Sequence, residues 1–330
     1  MTAIMHHPQH IGSYSRHATR SFLTYQAWVN SGRPESVENA EKLLLKMEYL
    51  AAVGDETVPL TSRNFNVVMN AYAKSSDRSA AQKALALLHR MRTSKIQPDV
   101  VSYTSVMECY SKSSEPDASD VAMALLQEIQ TKYQSTNDAS LMPNLRTFTM
   151  AILALARCPK QGNAKKARDL LLQLNELYDK TKNELLKPNA YPYNYVLNCA
   201  ANTVGTNDDK IAAFQVAAKT YQELRSASSI KADSFTYAFW LKACNNLLPA
   251  STDLYQKFVV LAFEECQKDG LVNQEVLTRL QQGHLSKERL SEILKVKLSL
   301  HSTVEVDDVS PDWSRNAMKK GATQVHRKSQ

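Results

Sequence analysis

The chain repeats itself, and that constrains its fold more than anything else in it. A turn recurs at Gln97-Pro98-Asp99, Met142-Pro143-Asn144, Lys187-Pro188-Asn189 and, with alanine for proline, Lys231-Ala232-Asp233. An aromatic follows each turn at a fixed distance: Tyr103, Phe148, Tyr193 and Tyr237, with Phe65 ahead of them. The steps between neighbouring aromatics are 38, 45, 45 and 44 residues. A period of that size means stacked supersecondary units, none of which can bury its apolar face alone.

The turns also say which element begins there. Proline lacks an amide proton and biases the preceding residue away from the helical region, so a helix should stop before it. Asp99, Asn144, Asn189 and Asp233 are then placed as N-caps, since a side-chain oxygen can accept an orphan amide proton of the next helix. Between these starts lies a second amphipathic pattern: Val37, Ala40, Leu43, Leu44, Met47; Ala84, Leu87, Leu88, Met91; Ala122, Leu125, Leu126, Ile129; Ala167, Leu170, Leu171, Leu174; and Ala217, Tyr221, Leu224. Each unit therefore reads as a helical hairpin. The fold class expected is all-α, a right-handed superhelical α-solenoid of antiparallel hairpins.

Composition agrees: 43% of 330 residues are hydrophobic, 22% are charged and only 8 are glycine. The apolar runs look too short and interrupted for a membrane span. Net charge is +7, and between Ser62 and Asp233 there are 22 Lys and Arg against 16 Asp and Glu, a balance compatible with an anionic partner. The five cysteines have no metal-ligand or disulfide-framework spacing; Cys109 and Cys199 occupy a position where other units have alanine, which marks them as small buried hydrophobes. A reducing compartment follows.

Segments such as FNVVMNAYAK…AQKALALLHRMRTSKIQPD and VSYTSVMECYSK…AMALLQEIQ…LMPN resemble pentatricopeptide repeats, helical hairpins that end in Pro-Asp or Pro-Asn. The resemblance covers roughly residues 21–270. The units are longer than the ordinary repeat, as in algal and protist members of the family. The extra residues are expected as loops, between the helices at 75–80, 159–163 and 201–209, and after the second helix at 131–140 and 178–185.

The resemblance implies single-stranded RNA as partner, read one base per repeat by the residue after the aromatic together with the last residue of the repeat. Here those pairs are Asn66 with Asp99, Thr104 with Asn144, Thr149 with Asn189, and Asn194 with Asp233. The family's correspondence reads them as 5′-U-A-A-U-3′. It also assigns stacking on the bases to the residue two before each aromatic: Arg63, Val101, Arg146, Tyr191 and Phe235. Phe22 and Ala238 fill the first reading position in the end units and cannot hydrogen-bond a base edge. The alternative for every pair is that the Asp or Asn is only a helix cap and its partner a polar surface residue. Arg90, Arg92, Lys95, Lys165, Lys166 and Arg168 are candidates for phosphate contact.

The expected organisation is an N-terminal segment (1–20), a repeat array of about six hairpins (21–283), a closing amphipathic helix (284–303) and a tail without fixed structure (304–330), with Trp313 as its one anchor. The first 34 residues contain no Asp or Glu, a composition like that of an organelle transit peptide, but residues 21–30 line up with 65–74 as the first helix of a unit, which favours a worn repeat there. Mitochondrion or plastid is the location that the family resemblance implies. No catalytic, cofactor or metal motif is found; Asp307, Asp308 and Asp312 lack the rigid setting a metal requires. RNA-processing proteins are further candidate partners, while a membrane and a small-molecule substrate are not expected. The chain thus reads as a non-catalytic RNA-binding adaptor acting in processing, stability or translation. The competing reading is a protein-interaction scaffold, which an acidic reading surface or one filled by apolar residues would favour.

Overall fold

The computed structural model describes residues 34–55, 59–297 and 303–317. The N-terminal segment, the helix expected at residues 21–30 and Phe22 lie outside them. Among the described residues the chain is all-α with no strand, and it divides into two compact units, residues 1–154 and 155–330.

The first unit contains α1 (Pro34–Ala52), α2 (Ser62–Lys74), α3 (Ala80–Thr93), α4 (Val100–Lys112), α5 (Ala118–Thr136) and the start of α6 (Leu145–Arg157). Helices α2 and α4 pack side by side, with α1, α3 and α5 behind them. The repeated aromatics are the centre of this packing: Phe65, Tyr103 and Phe148 are 0% exposed. Ala40, Ala84 and Ala122 are also fully buried, because at those contacts only a methyl group fits between neighbouring helices.

The second unit contains α7 (Asn163–Thr181), α8 (Ala190–Ala201), α9 (Asn207–Ser226), α10 (Ser234–Leu247), α11 (Asp253–Asp269), α12 (Gln274–Gln281) and α13 (Lys287–Leu294). The same rule operates: α8 packs on α10 and α10 on α12, with Tyr193, Tyr237, Ala167 and Ala217 buried. One more repeat start is visible here than the turn motif revealed. Asn273 caps α12 by accepting from the Val276 amide at 3.0 Å, and Leu277, fully buried, stands at the aromatic position.

The expected caps are all in place. Asp99, Asn144 and Asp233 accept from the amides of Ser102, Thr147 and Thr236 at 2.9, 3.1 and 2.9 Å, and Asn189 accepts from Tyr191 at 3.1 Å. The long insertions behave differently from the loops expected at 131–140 and 178–185. They extend α5 and α7 to 19 residues each and end both helices in the same device. A left-handed residue, Asn137 (φ 52°) or Lys182 (φ 49°), is followed by Asp138 or Asn183 capping a 3-10 turn, whose Leu141 or Leu186 is buried. The insertions at 75–80 and 159–163 are connections up to the first residue of the following helix, whereas of 201–209 only 202–206 lies outside a helix, since residues 207–209 form the first turn of α9.

Two further expectations need correction. Residues 303–317 are packed: Val304 and Val309 are buried, the Trp313 ring meets Phe263 edge-on at 6.0 Å, and the Val272 amide donates to the Trp313 carbonyl at 2.8 Å. Four apolar side chains, Val304, Val306, Val309 and Trp313, are enough to seat an otherwise polar stretch on α11 and α12. The closing helix is short, residues 287–294, and stops at Lys295 in the left-handed region; the rest of that stretch is only partly described. The stretch Ala139–Arg157 reaches the length and hydropathy of a membrane span, yet it is 61% buried and is broken at Pro143 into a 3-10 turn and α6. Its apolarity is that of a core helix.

Candidate nucleic-acid interface

Because each first helix starts at a capped turn, its residues can be numbered from the cap. The stacking candidates are then the second helical residue, two after the cap, and the first reading residue lies five after it. Helical geometry sends these positions to different depths. Arg63, Val101, Arg146, Tyr191 and Phe235 are all exposed, Val101, Tyr191 and Phe235 by 46, 47 and 45%. Asn66, Thr104, Thr149 and Asn194 are buried, between 2 and 6% exposed. Of the second reading residues, Asp99, Asn144 and Asp233 are half-buried and Asn189 is exposed.

Two of the pairs are joined directly. The Asn66 amide donates to Asp99 Oδ1 at 3.0 Å, and the Asn194 amide donates to Asp233 Oδ1 at 2.9 Å. A third side chain, absent from the sequence reading, completes each arrangement. Ser102 Oγ donates to Asn66 Oδ1 at 2.7 Å, and Thr236 Oγ1 to Asn194 Oδ1 at 2.8 Å. Both hydroxyls sit three residues after the cap and also accept from the cap's own amide. Their sequence signal was the Asp-x-x-Ser/Thr capping box. Each Asn amide is therefore oriented before any ligand arrives, oxygen toward the hydroxyl and nitrogen toward the carboxylate.

Thr104 and Asn144 are linked through an intermediary. Thr104 Oγ1 donates to the Val100 carbonyl at 2.6 Å and lies 3.1 Å from Thr147 Oγ1, which in turn donates to Asn144 at 3.2 Å. Thr149, in the first unit, donates to the Leu145 carbonyl at 2.6 Å. Asn189, in the second, caps its helix without a hydroxyl neighbour, since Pro192 occupies the third position.

The proposed phosphate contacts fare unevenly. Arg90 pairs with Glu48, Arg92 with Glu128 at 2.7 Å, and Arg168, 8% exposed, with Glu223. Within each unit these arginines join neighbouring second helices, α1 to α3, α3 to α5 and α7 to α9, and Arg225 joins α9 to α11 through Asp269 at 2.6 Å. Lys95, Lys165 and Lys166 are exposed. On the first-helix face, Glu108 gathers Lys112 at 2.8 Å and Arg146, and these cations together hold its carboxyl below the usual range against the opposing effect of burial. Lys242 has a different setting. Its ammonium donates to Asn198 Oδ1 at 3.0 Å and Asn202 Oδ1 at 2.6 Å, and burial, with Arg279 nearby, lowers its pKa. Among the described residues no three His, Cys, Asp or Glu side chains are grouped as metal ligands.

Residues 40–172, about two fifths of the chain, match the family model described as the pentacotripeptide-repeat region of PRORP, in its long-repeat form. Compared with curated proteins, the chain gives no match.

Proposed function

Because residues 40–172 are a pentatricopeptide-type repeat region, we propose that this chain is a non-catalytic adaptor that holds single-stranded RNA along its first helices in organelle RNA metabolism, whether processing, stability or translation. Mitochondrion or plastid is the corresponding location. The observation that carries the reading is the uniform exposure of the five candidate stacking side chains at one helical position, four of them two residues after an exposed or half-buried capping Asp or Asn and Arg63 two after Thr61. Exposed Tyr and Phe rings at that position contribute little to the core, while base stacking is worth about 1–3 kcal/mol per ring.

The pair chemistry suits the bases assigned. Uracil presents one N–H donor between two carbonyls, and in the Asn–Asp pair the carboxylate offers an acceptor and the Asn amide nitrogen a donor. Adenine presents an acceptor beside an exocyclic amine, which an Asn amide can meet from both sides. The core read in this way is UAAU. Titration of the purified chain against RNAs containing UAAU, a scrambled version and the DNA equivalent tests it, with preference for UAAU expected. Asn66→Thr should move the first base from pyrimidine toward purine. It should do so without unfolding, since Thr104 and Thr149 show that threonine at this position satisfies itself on the carbonyl four residues back. Equal binding of the variant to both bases would count against the assignment.

A protein-interaction scaffold is the second reading. The exposed rings of Tyr191 and Phe235, with Phe239 half-buried beside them, favour it; no RNA binding at low salt would decide for it.

A further inference from the structure

In the second unit, α8 and α10 each carry a stripe at two, six, nine and thirteen residues after the cap. On α8 it is Tyr191, Tyr195, Asn198 and Asn202; on α10 it is Phe235, Phe239, Lys242 and Asn246. Steps of four, three and four residues keep each set on one face of its helix. The stripes abut: Lys242 on α10 reaches Asn198 and Asn202 on α8, and Asn246 Nδ2 donates to the Ala201 carbonyl at 2.9 Å. At one end of this surface are the exposed Tyr191 and Phe235, with Phe239 stacked on Phe235 at 5.9 Å and 30° between the rings. At the other is the ammonium of Lys242.

The charge of that ammonium is uncompensated. Both its partners are neutral amide oxygens, an ammonium has three donors, and it forms no ion pair among the described residues. Helix α8 has no charged residue, and Lys242 is the single charge within α10. The neighbouring Arg279 and Glu275 on α12 pair with each other at 2.6 Å. A half-buried cation without a counter-ion is unfavourable unless an anion completes it. The base-reading position of α10 is held by Ala238, fully buried and without any polar group.

We infer that the repeat begun by α10 is a sequence-tolerant grip for single-stranded nucleic acid: Phe235 and Phe239, with Tyr191 across from them, stack on bases, Lys242 binds a backbone phosphate, and Ala238 leaves the base identity unread. The occupant is chosen by complementarity. Flat rings followed along the same face by a lone cation match alternating bases and phosphates, and every base has a face to stack. Lys242 and Phe239 thereby become binding residues, and the α10 repeat is more than an end cap. The inference rests on the RNA-binding reading but not on the UAAU assignment.

The test uses the full chain and fluorescent RNAs, UAAU alone and UAAU extended on its 3′ side by three nucleotides of varied sequence. The wild-type chain should bind every extended RNA more tightly than UAAU alone, by about the same factor. Lys242→Gln should lose about fivefold of affinity for all extended RNAs and flatten the salt dependence by about 0.7 in the logarithmic slope, the value for one phosphate on a single strand. Lys242→Arg should retain binding, and Phe239→Leu should weaken all extended RNAs about equally. Circular dichroism and thermal midpoints confirm that each variant is folded. Lys242→Gln and Phe239→Leu proteins that bind the extended RNAs as the wild type does would overturn the grip while leaving RNA binding intact. Loss on Lys242→Gln without any UAAU preference in the wild type would support the grip and overturn the base assignment. A wild-type chain that binds a protein partner and no RNA overturns both.

Discussion

The first-helix faces of the two units are built on one plan and carry opposite chemistry. In the first unit the stacking positions hold Arg63, Val101 and Arg146, and Glu108 neutralises the cations around it. In the second they hold Tyr191 and Phe235, backed by Phe239 and by a lysine with no counter-ion. The buried positions hardly differ, an aromatic on the first helix and an alanine on the second, and the half-buried or exposed caps are Asp or Asn in both units, with a hydroxyl three residues on at Ser102, Thr147 and Thr236. Within one helix, then, the residues that pack and the residues that stay exposed are different ones, and the proposed base readers Asn66, Thr104, Thr149 and Asn194 fall among the buried set. The inward residues are fixed by packing, whereas the outward ones can change from repeat to repeat at little cost to stability.

The largest test of that division is overpacking. Ala84 and Ala217 are both 0% exposed, so Ala84→Phe and Ala217→Phe should each cost about 3 kcal/mol in urea unfolding. A much smaller cost in one unit would break the claim of a shared plan. Next come the caps. Asp99→Ala removes acceptors for the Ser102 amide, the Asn66 amide and the Ser62 hydroxyl and should cost about 2 kcal/mol. Asn189→Ala removes one exposed cap bond and should cost about 0.5 kcal/mol. Equal costs would mean that the Asn–Asp–hydroxyl network contributes nothing beyond capping. An effect seen only at alkaline pH concerns one buried thiol in each unit. Burial pushes Cys109 and Cys199 up to about 12 from 9.0. A folded value above the unfolded one gives stability that is complete below pH 9 and is lost as pH rises toward 12. Unfolding midpoints should therefore fall between pH 9 and 11, and less steeply in Cys109→Ala. An unchanged slope in that variant would remove the thiol from the account.

What could be seen in the sequence is what the backbone settles within a few residues. The proline turns, the four caps and the second-helix stripes all follow from neighbours one to four positions apart, and the burial of Cys109 and Cys199 from the period that aligns them with alanines. The stacking candidates came out exposed for the same reason, since their distance from the cap sets their side of the helix. The reading of Arg90, Arg92 and Arg168 as phosphate contacts failed because their partners Glu48, Glu128 and Glu223 lie 36 to 55 residues away. The ordered stretch at 303–317 was missed because its four anchoring side chains are scattered among polar ones.

By itself, then, the sequence determined the period, the helix starts and which side chains turn inward, because caps, proline and helical spacing act locally. Only the tertiary structure decided that Asn66 and Asn194 are tied to the next repeat's cap, that the arginines staple second helices, and that Lys242 lacks a counter-ion. Each of these depends on a partner brought close by packing, and a helical period specifies the face a residue occupies without specifying what it will meet there.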